Sequence, residues 1–306
     1  MIKFEIIIIT YNQETTIGGA LNSAINQTLL PYKISVYDDN SFDSTLSIVQ
    51  SIAEKNIANI EIYHNEKNLG IFGNVNKAID NSSGDIICFL AGDDEFELDL
   101  IENLHSYIEK KRIDISLPFW IIPDIKLIYS DGTIENVYHS KYKKVSAFEL
   151  ILSGKLRSFE IGLSHAAAKW SRIRTDCGYQ ADNLKSLLLA KKAKIYLADF
   201  FGYKYRVDVG VTYNSKKVDL LISRRTILNI LLQEQADILS KRELVLVRYE
   251  LAKTNLNIGY SIISYAKLLL CSIRIVFMSS KVYSLKNIIS PLVSTRVKST
   301  MKKMIV

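Results

Sequence analysis

Apolar positions in the first ninety residues form short unbroken runs, separated by stretches where they recur every three or four residues. That alternation is expected of βαβ units around a mainly parallel sheet. Phe4-Glu5-Ile6-Ile7-Ile8-Ile9 reads as a buried strand. Ile17, Ala20, Leu21, Ala24, Ile25 and Leu29 then share one helical face, and Pro31 follows the helix end. Ile34-Ser35-Val36-Tyr37 is a second strand, Thr45 to Ala53 a second helix, and Ile60-Glu61-Ile62-Tyr63 a third strand. A third helix begins across Asn74 to Ile79, and Asp85-Ile86-Ile87-Cys88-Phe89-Leu90 is a fourth strand, whose Cys88 is expected to be buried and inert. No internal repeat or low-complexity tract interrupts the pattern.

Open parallel sheets bind ligands beyond the carboxyl ends of their strands. The segments at those ends are polar here: Thr10-Tyr11-Asn12-Gln13-Glu14, then Asp38-Asp39-Asn40-Ser41-Phe42-Asp43-Ser44-Thr45, then Ala91-Gly92-Asp93-Asp94. Taken alone, the second segment also fits a turn with a helix cap, and Asp93-Asp94 also fits a helix start. Neither reading explains two acidic clusters at neighbouring strand ends, where like charges repel unless a cation lies between them. A divalent metal carrying a phosphate ligand would meet that need.

Composition changes the picture mainly at the C-terminal end. A chain of 306 residues, 48% hydrophobic and 23% charged, buries a sizeable core. Its net charge of +7 is concentrated after Leu251, where nine Lys and Arg occur and no Asp or Glu, which leaves −2 for the first 250 residues. Ile262, Ile263, Leu268, Leu269, Leu270, Ile273, Ile275, Val276 and Phe277 are interleaved with these bases. The pattern suits a helix lying on an anionic membrane, or a basic helix packed on the rest of the protein. Large aliphatic residues between the bases, without a recognised binding motif, argue against nucleic acid. The longest apolar candidate for a span, Ile258 to Met278, is broken by Lys267 and Arg274. Cys88, Cys177 and Cys271 form neither a disulfide framework nor a zinc motif, and the start lacks a basic n-region, so a reducing cytosolic setting is expected.

The order Thr10-Tyr11-Asn12, Gln27-Thr28, Asp38-Asp39-x-Ser41-x-Asp43-x-Thr45, Gly84-Asp85-Ile86 and Asp93-Asp94 resembles the inverting glycosyltransferase family 2. Asp182-Asn183-Leu184, Ala193 to Asp199 and Tyr205-Arg206 resemble its acceptor-side acidic motif, the helix and strand that follow, and its Tyr-Arg pair. The resemblance implies a GT-A (Rossmann-like) α/β fold with a mainly parallel sheet over residues 1–215; the charge pattern adds a basic amphipathic helical region over 216–306 that is expected to associate with a membrane. The resemblance also implies a nucleotide pocket in which Tyr11 lies against the base, Asp39 accepts from a ring N–H, Thr10, Asn12 and Glu14 line the wall, and Asp93 approaches the ribose. It implies Mn²⁺ or Mg²⁺ on Asp94, and Asp182 as the general base, for which a plain helix N-cap is the rival reading.

Three positions depart from the family pattern. Ala91 stands where an Asp-x-Asp motif would begin, Asp208 stands where a His often follows the Tyr-Arg pair, and Asp182 lacks the usual acidic or Trp neighbour. Asp208 is expected either to serve as an oxygen ligand for the metal or to mark a lost contact. Glu160, His165 and Trp170 fall where an acceptor pocket would be shaped, although a satisfied polar His and a core Trp are the commoner roles. The expected activity is hexosyl transfer from a nucleotide sugar, UDP preferred, to a polyprenyl-diphosphate-linked saccharide in surface polysaccharide (O-antigen or capsule) synthesis, peripherally on the inner face of the cell membrane. Two alternatives remain at this stage. One is a catalytically silent nucleotide-sugar-binding module; the other is a metal-dependent nucleotidyltransferase, although Thr10 to Gly19 lacks the Gly-rich phosphate loop of that class.

Overall fold

The structure is a computed structural model and describes residues 1–156, 161–170, 172–207, 209, 216–259 and 262–277. The chain divides into two compact units. The first gathers Met1–Lys144, Ser158–Thr175 and Leu188–Asn214; the second gathers Val145–Arg157, Asp176–Leu187 and the chain from Ser215 onward. The last change of unit falls between Asn214 and Ser215, and two earlier segments join the second unit.

In the first unit β1 (Phe4–Thr10), β2 (Lys33–Asp38), β3 (Ile60–His64) and β4 (Ile86–Ala91) are all parallel and lie in the order β3–β2–β1–β4. The intervening helices are α1 (Ile17–Ile25), α2 (Thr45–Glu54) and α3 (Gly70–Asn81). Beyond β4 come β5 (Glu95–Phe96), α4 (Leu100–Lys111), β6 (Phe119–Ile128), β7 (Ile134–Val137), β8 (Leu163–Ser164), α6 (His165–Trp170) and β9 (Lys194–Arg206), with α5 (Ala147–Leu152) and α7 (Ala181–Lys192) between them in sequence. β8 joins β4 antiparallel, and the sheet continues through β6 and β9 to β5, with β7 as a branch on β6.

β1 reads as a continuous apolar run because both of its faces are covered. Phe4, Ile6 and Ile8 join one core with Ile34, Val36, Cys88 and Leu90 from the flanking strands and Ile17, Ala20, Leu21 and Ala24 from α1. Ile7 is equally buried, with alternate residues of the strand facing opposite sides. Burial pushes the Cys88 thiol up to about 12, as expected of an inert core cysteine.

One charged residue interrupts this strand. Glu5 is fully buried, a costly position unless its lone pairs are met. The Ser35 hydroxyl donates to it at 2.9 Å and the amides of Ser83 and Gly84 at 2.7 and 2.8 Å, while Lys33 Nζ lies 3.4 Å away. That contact explains the glycine of Gly84-Asp85-Ile86, since a Cβ there would sit 2.6 Å from Glu5 Cβ.

Two helix boundaries differ from the periodicity. α1 stops at Ile25 although the apolar spacing runs to Leu29, because the Gln27 side chain takes the Ser23 carbonyl that a longer helix would offer to its own amide. Gln27 also donates to the Glu97 carbonyl at 2.8 Å and accepts from the Ile101 amide at 3.0 Å, tying α1 to the start of α4. Leu29 is left outside the helix and exposed. α3 begins at Gly70, four residues before Asn74, where φ of 72° and an Asn68 side chain accepting from the Gly70 amide open the helix.

The second unit is helical among its described residues. Its C-terminal part holds α8 (Lys217–Gln233), α9 (Lys241–Ile258) and α10 (Ile262–Phe277). Ser240 and Glu243 form a reciprocal capping box that restarts the chain as α9. α9 packs against α5, α8 and α10. Its fully buried Glu250 accepts from Arg224 at 2.8 Å and from Lys253 at 2.9 Å. α10 buries Leu268, Cys271, Ser272 and Ile275 and exposes Ile263, Ala266, Lys267 and Leu270. Among the described residues no helix is long and apolar enough to cross a membrane.

Candidate active site

β2 and β3 lie on one side of β1 and β4 on the other, so the chain changes direction between β1 and β4 and leaves a crevice beyond their carboxyl ends. The loops leaving β1 and β2 are locked together there. The amides of Asn12, Gln13 and Glu14 donate to Ser41 Oγ at 2.9 Å, Thr45 Oγ1 at 2.7 Å and Asp43 Oδ2 at 3.1 Å. In return Asn12 Oδ1 accepts from the Phe42 amide and Glu14 Oε2 from the Ser44 amide, both at 2.9 Å. Asn12 holds a φ of 50°, a left-handed conformation that asparagine tolerates better than most residues. The Asn12 and Glu14 side chains thus brace the pocket wall from within.

Asp38 and Asp43 serve the same loop. Asp38 is fully buried and accepts from the Ser41 amide at 3.0 Å and from His64 Nδ1 at 2.8 Å. Burial works against the Asp43 charge, but the Thr45 hydroxyl and amide and the Glu14 amide hold its carboxyl below the usual range.

Asp39 is placed differently. Its amide donates to the Thr10 carbonyl at 2.9 Å, which extends the β1–β2 pairing past the strand ends. Its Oδ1 accepts from Asn65 Nδ2 and from the Leu69 amide, both at 2.8 Å. Among the described residues neither bond engages Oδ2, so one acceptor remains for a ligand. Beside it Tyr11 is 39% exposed and meets Phe42, 78% exposed, edge to face at 6.2 Å. Two open rings on a polar rim offer a surface for a planar base.

The third loop carries the carboxylate pair. Gly92 donates to the Ile9 carbonyl at 2.9 Å, and a Cβ on it would collide with Gln13 Oε1 and lie 2.9 Å from Thr10 Oγ1, so only glycine lets β4 end this close to β1. Thr10 Oγ1 donates to Gln13 Oε1 at 2.9 Å, and the Gln13 amide supports Asp93. Burial raises the Asp93 carboxyl against the opposing pull of Gln13 and Arg206. Asp94 is deeper, 3% exposed, and accepts from the Tyr203 hydroxyl at 2.8 Å and the Arg206 amide at 2.7 Å. Burial, followed by the Asp93 charge, pushes it up to about 8. The Arg206 guanidinium itself pairs with Glu95 at 2.6 Å.

Among the described residues no three His, Cys, Asp or Glu side chains are grouped to enclose a cation. Magnesium-type sites that also use substrate phosphates need only one or two carboxylates, and the Asp93–Asp94 pair fits that requirement. Both carboxyls are raised by burial, and Asp94 by its neighbour as well, a deficit that a cation would relieve. Each Asp94 oxygen holds one protein donor and retains a second lone pair.

Thr10, Tyr11, Asn12, Glu14, Asp39, Asp93 and Asp94 therefore meet on one rim of the first unit. Asp182 belongs to the second unit, where it sits in the first turn of α7, one residue inside the helix that starts at Ala181. It is thus not the helix N-cap. Asp208 and Glu160 lie outside the described residues. His165 has a structural role: its Nδ1 lies 2.9 Å from the Gly84 carbonyl and its amide donates to Asp85. Trp170, expected in a core, is 58% exposed. Sequence reading passed over Gln13, Asn65 and Tyr203. Asn65 follows a strand end and was within reach of the rule that found Asp39, whereas Tyr203 reaches Asp94 only through pairing of β9 with β5.

A mainly parallel sheet with acidic loops at its point of reversal defines a GT-A-type fold, and residues 5–170, more than half of the chain, match the family described as glycosyl transferase family 2. The chain belongs to that family. Glycosyltransferase GlyA of Streptococcus pneumoniae serotype 4 is 28% identical over 219 residues, 68% of this chain and 31% of its own. The GalNAc(5)-diNAcBac-PP-undecaprenol beta-1,3-glucosyltransferase of Campylobacter jejuni is 36% identical over 96 residues, 31% of each chain. Such matches span about a third of the length of these curated relatives. The crystal structure of S. aureus TarS 1-349 in complex with UDP-GlcNAc has the same fold, with a TM-score of 0.65 at 20% identity over 92% of this chain and 83% of that one.

The Asp94 carboxyl gives the site a signature in stability. Below about pH 4 both folded and unfolded chains hold its proton, and its contribution is complete. As pH rises towards about 8 the unfolded chain has released the proton that the folded chain retains, so the contribution is lost. Urea unfolding in chelator should show the wild type losing stability between pH 5 and pH 8. Asp94→Asn, whose new amide the Tyr203 hydroxyl can accept from, should lose markedly less; equal losses would contradict the assignment.

Proposed function

We propose that this protein is an inverting glycosyltransferase that moves a hexose from a UDP-sugar to a saccharide carried on polyprenyl diphosphate, in surface polysaccharide synthesis. The observation that carries the reading is the rim itself: one open acceptor on Asp39, exposed aromatic rings beside it, and a raised carboxylate pair at the end of the next strand. Asp39 Oδ2 suits the N3–H of uracil, and Tyr11 the face of the ring. Asp93 accepts from a ribose hydroxyl. Asp94, with Asp208 as a further oxygen, would hold Mn²⁺ or Mg²⁺, which would supply charge neutralisation for the departing diphosphate.

In this reading Asp182 takes the proton of an acceptor hydroxyl as that oxygen bonds to the anomeric carbon. The bond from that carbon to the diphosphate oxygen breaks at the same time, and the nucleoside diphosphate leaves from the opposite face. A single displacement of this kind inverts the anomeric configuration. The Campylobacter relative is named for a saccharide on PP-undecaprenol, which supports a lipid-linked acceptor here. The acid-free basic stretch after Leu251, and the exposed Ile263 and Leu270 of α10, support peripheral attachment to an anionic membrane on its cytoplasmic side.

Release of nucleoside diphosphate from UDP-, GDP- and dTDP-sugars, with Mn²⁺, Mg²⁺ or chelator and a lipid-linked saccharide acceptor, tests the activity. Metal-dependent release from the UDP donor, reduced by about a hundredfold or more in Asp94→Ala and Asp182→Asn, is expected. No release from any donor would favour a silent binding module, and diphosphate released from a nucleoside triphosphate would favour a nucleotidyltransferase. For the membrane seat, co-flotation with anionic vesicles should weaken when Ile263 and Leu270 are both replaced by Glu; unchanged flotation would remove α10 from the reading.

A further inference from the structure

Behind Asp39 lies a chain of buried polar side chains that the proposed reaction does not use. Asn65 is 2% exposed and Asn74 fully buried. Lys77 Nζ donates to Asn65 Oδ1 at 2.6 Å, and Asn65 Nδ2 donates to Asp39 Oδ1 at 2.8 Å and to Asn74 Oδ1 at 3.0 Å. Asn74 Nδ2 in turn donates to the Tyr37 carbonyl at 2.9 Å.

Both ends of this chain fix its direction. An ammonium group only donates and a carbonyl only accepts. If the Asn65 amide were reversed, its NH₂ would face Lys77, donor against donor, and its oxygen would face the oxygens of Asp39 and Asn74. Such a reversal would break three hydrogen bonds among buried groups, where unmet polarity is most costly. Lys77 therefore forces an N–H towards Asp39, and the Leu69 amide adds a second donor to the same oxygen. With Oδ1 held by two donors, the buried Asp39 carboxylate is fixed in orientation, and its Oδ2, an acceptor only, keeps its lone pairs.

We propose that Lys77, acting through Asn65, is a positioning residue that makes the Asp39 pocket select bases presenting a ring N–H. These are uracil, thymine or guanine, in preference to cytosine and adenine, which present a bare ring nitrogen at that edge. The inference rests on the donor-site reading above and adds to it the residues that set base selectivity. Sites built around a hydrogen bond reject analogues that lack it, because the buried partner is then left unpaired.

Calorimetric titration of UDP and of CDP into the full-length protein tests this, comparing wild type with Lys77→Met, Lys77→Arg and the isosteric Asn65→Asp. Wild type should favour UDP by about tenfold or more. Lys77→Met and Asn65→Asp should weaken UDP by on the order of tenfold while changing CDP by about twofold or less, so that the preference collapses. Lys77→Arg, which still only donates, should restore much of it. General structural damage would weaken both nucleotides together, and thermal melting checks folding; if Lys77→Met does not fold, Asn65→Asp decides. A wild-type preference that survives in Asn65→Asp overturns the role of the relay. Absence of any UDP binding by wild type overturns the donor-site reading and the relay with it.

Discussion

The backbone amides at the end of β1 have left the sheet's ladder, and their partners are side chains of the loop after β2. Asn12, Gln13 and Glu14 donate into Ser41, Thr45 and Asp43, while Asn12 and Glu14 return the bond to the amides of Phe42 and Ser44. Backbone groups that lose the ladder must find other partners when water is excluded, and here each loop supplies what the other lacks. The crevice wall is thereby held by the protein's own hydrogen bonds. It also explains why so many short polar residues follow these two strands: Ser, Thr, Asp and Asn carry their hydrogen-bonding atoms close enough to the main chain to bridge two loops.

On that fixed wall the carboxylates divide into three kinds. Asp38 and Asp43 are consumed by the loop's own donors. Asp39 is half consumed, with one oxygen anchored and the other keeping its lone pairs. Asp93 and Asp94 are the costly pair, raised by burial and, for Asp94, by each other's proximity. β9 offsets part of that cost by bringing Tyr203 and the Arg206 amide to Asp94 from the far side of the sheet. A carboxylate pair held at unfavourable energy beside an open acceptor is the arrangement expected where a cation and a phosphate are to be received.

Much of this was legible along the chain where the controlling contacts are local. The strand runs of β1, β2 and β4 stand out because both sheet faces are covered, and the polar segments after them mark the rim. Reading failed where a distant residue decides. α1 ends early because Gln27 bonds to Ser23, Glu97 and Ile101, and α3 starts early because Gly70 takes a positive φ with its amide held by Asn68. Tyr203 lies 109 residues from Asp94 in sequence, and no periodicity points from one to the other. Asn12 and Glu14 were identified as site residues by position, but their bonds to the neighbouring loop depend on the β1–β2 register.

An Asp39 that presents a lone acceptor to the base of a nucleotide should respond sharply to Asp39→Asn. With its oxygen kept towards Asn65 and Leu69, the new amide turns an NH₂ into the crevice and reverses the polarity of the pocket without changing its shape. Calorimetric titration of this variant in the presence of Mn²⁺ should show UDP binding weakened by about tenfold or more, with CDP, whose ring nitrogen accepts, now the better ligand. UDP affinity equal to that of the wild type would contradict the account.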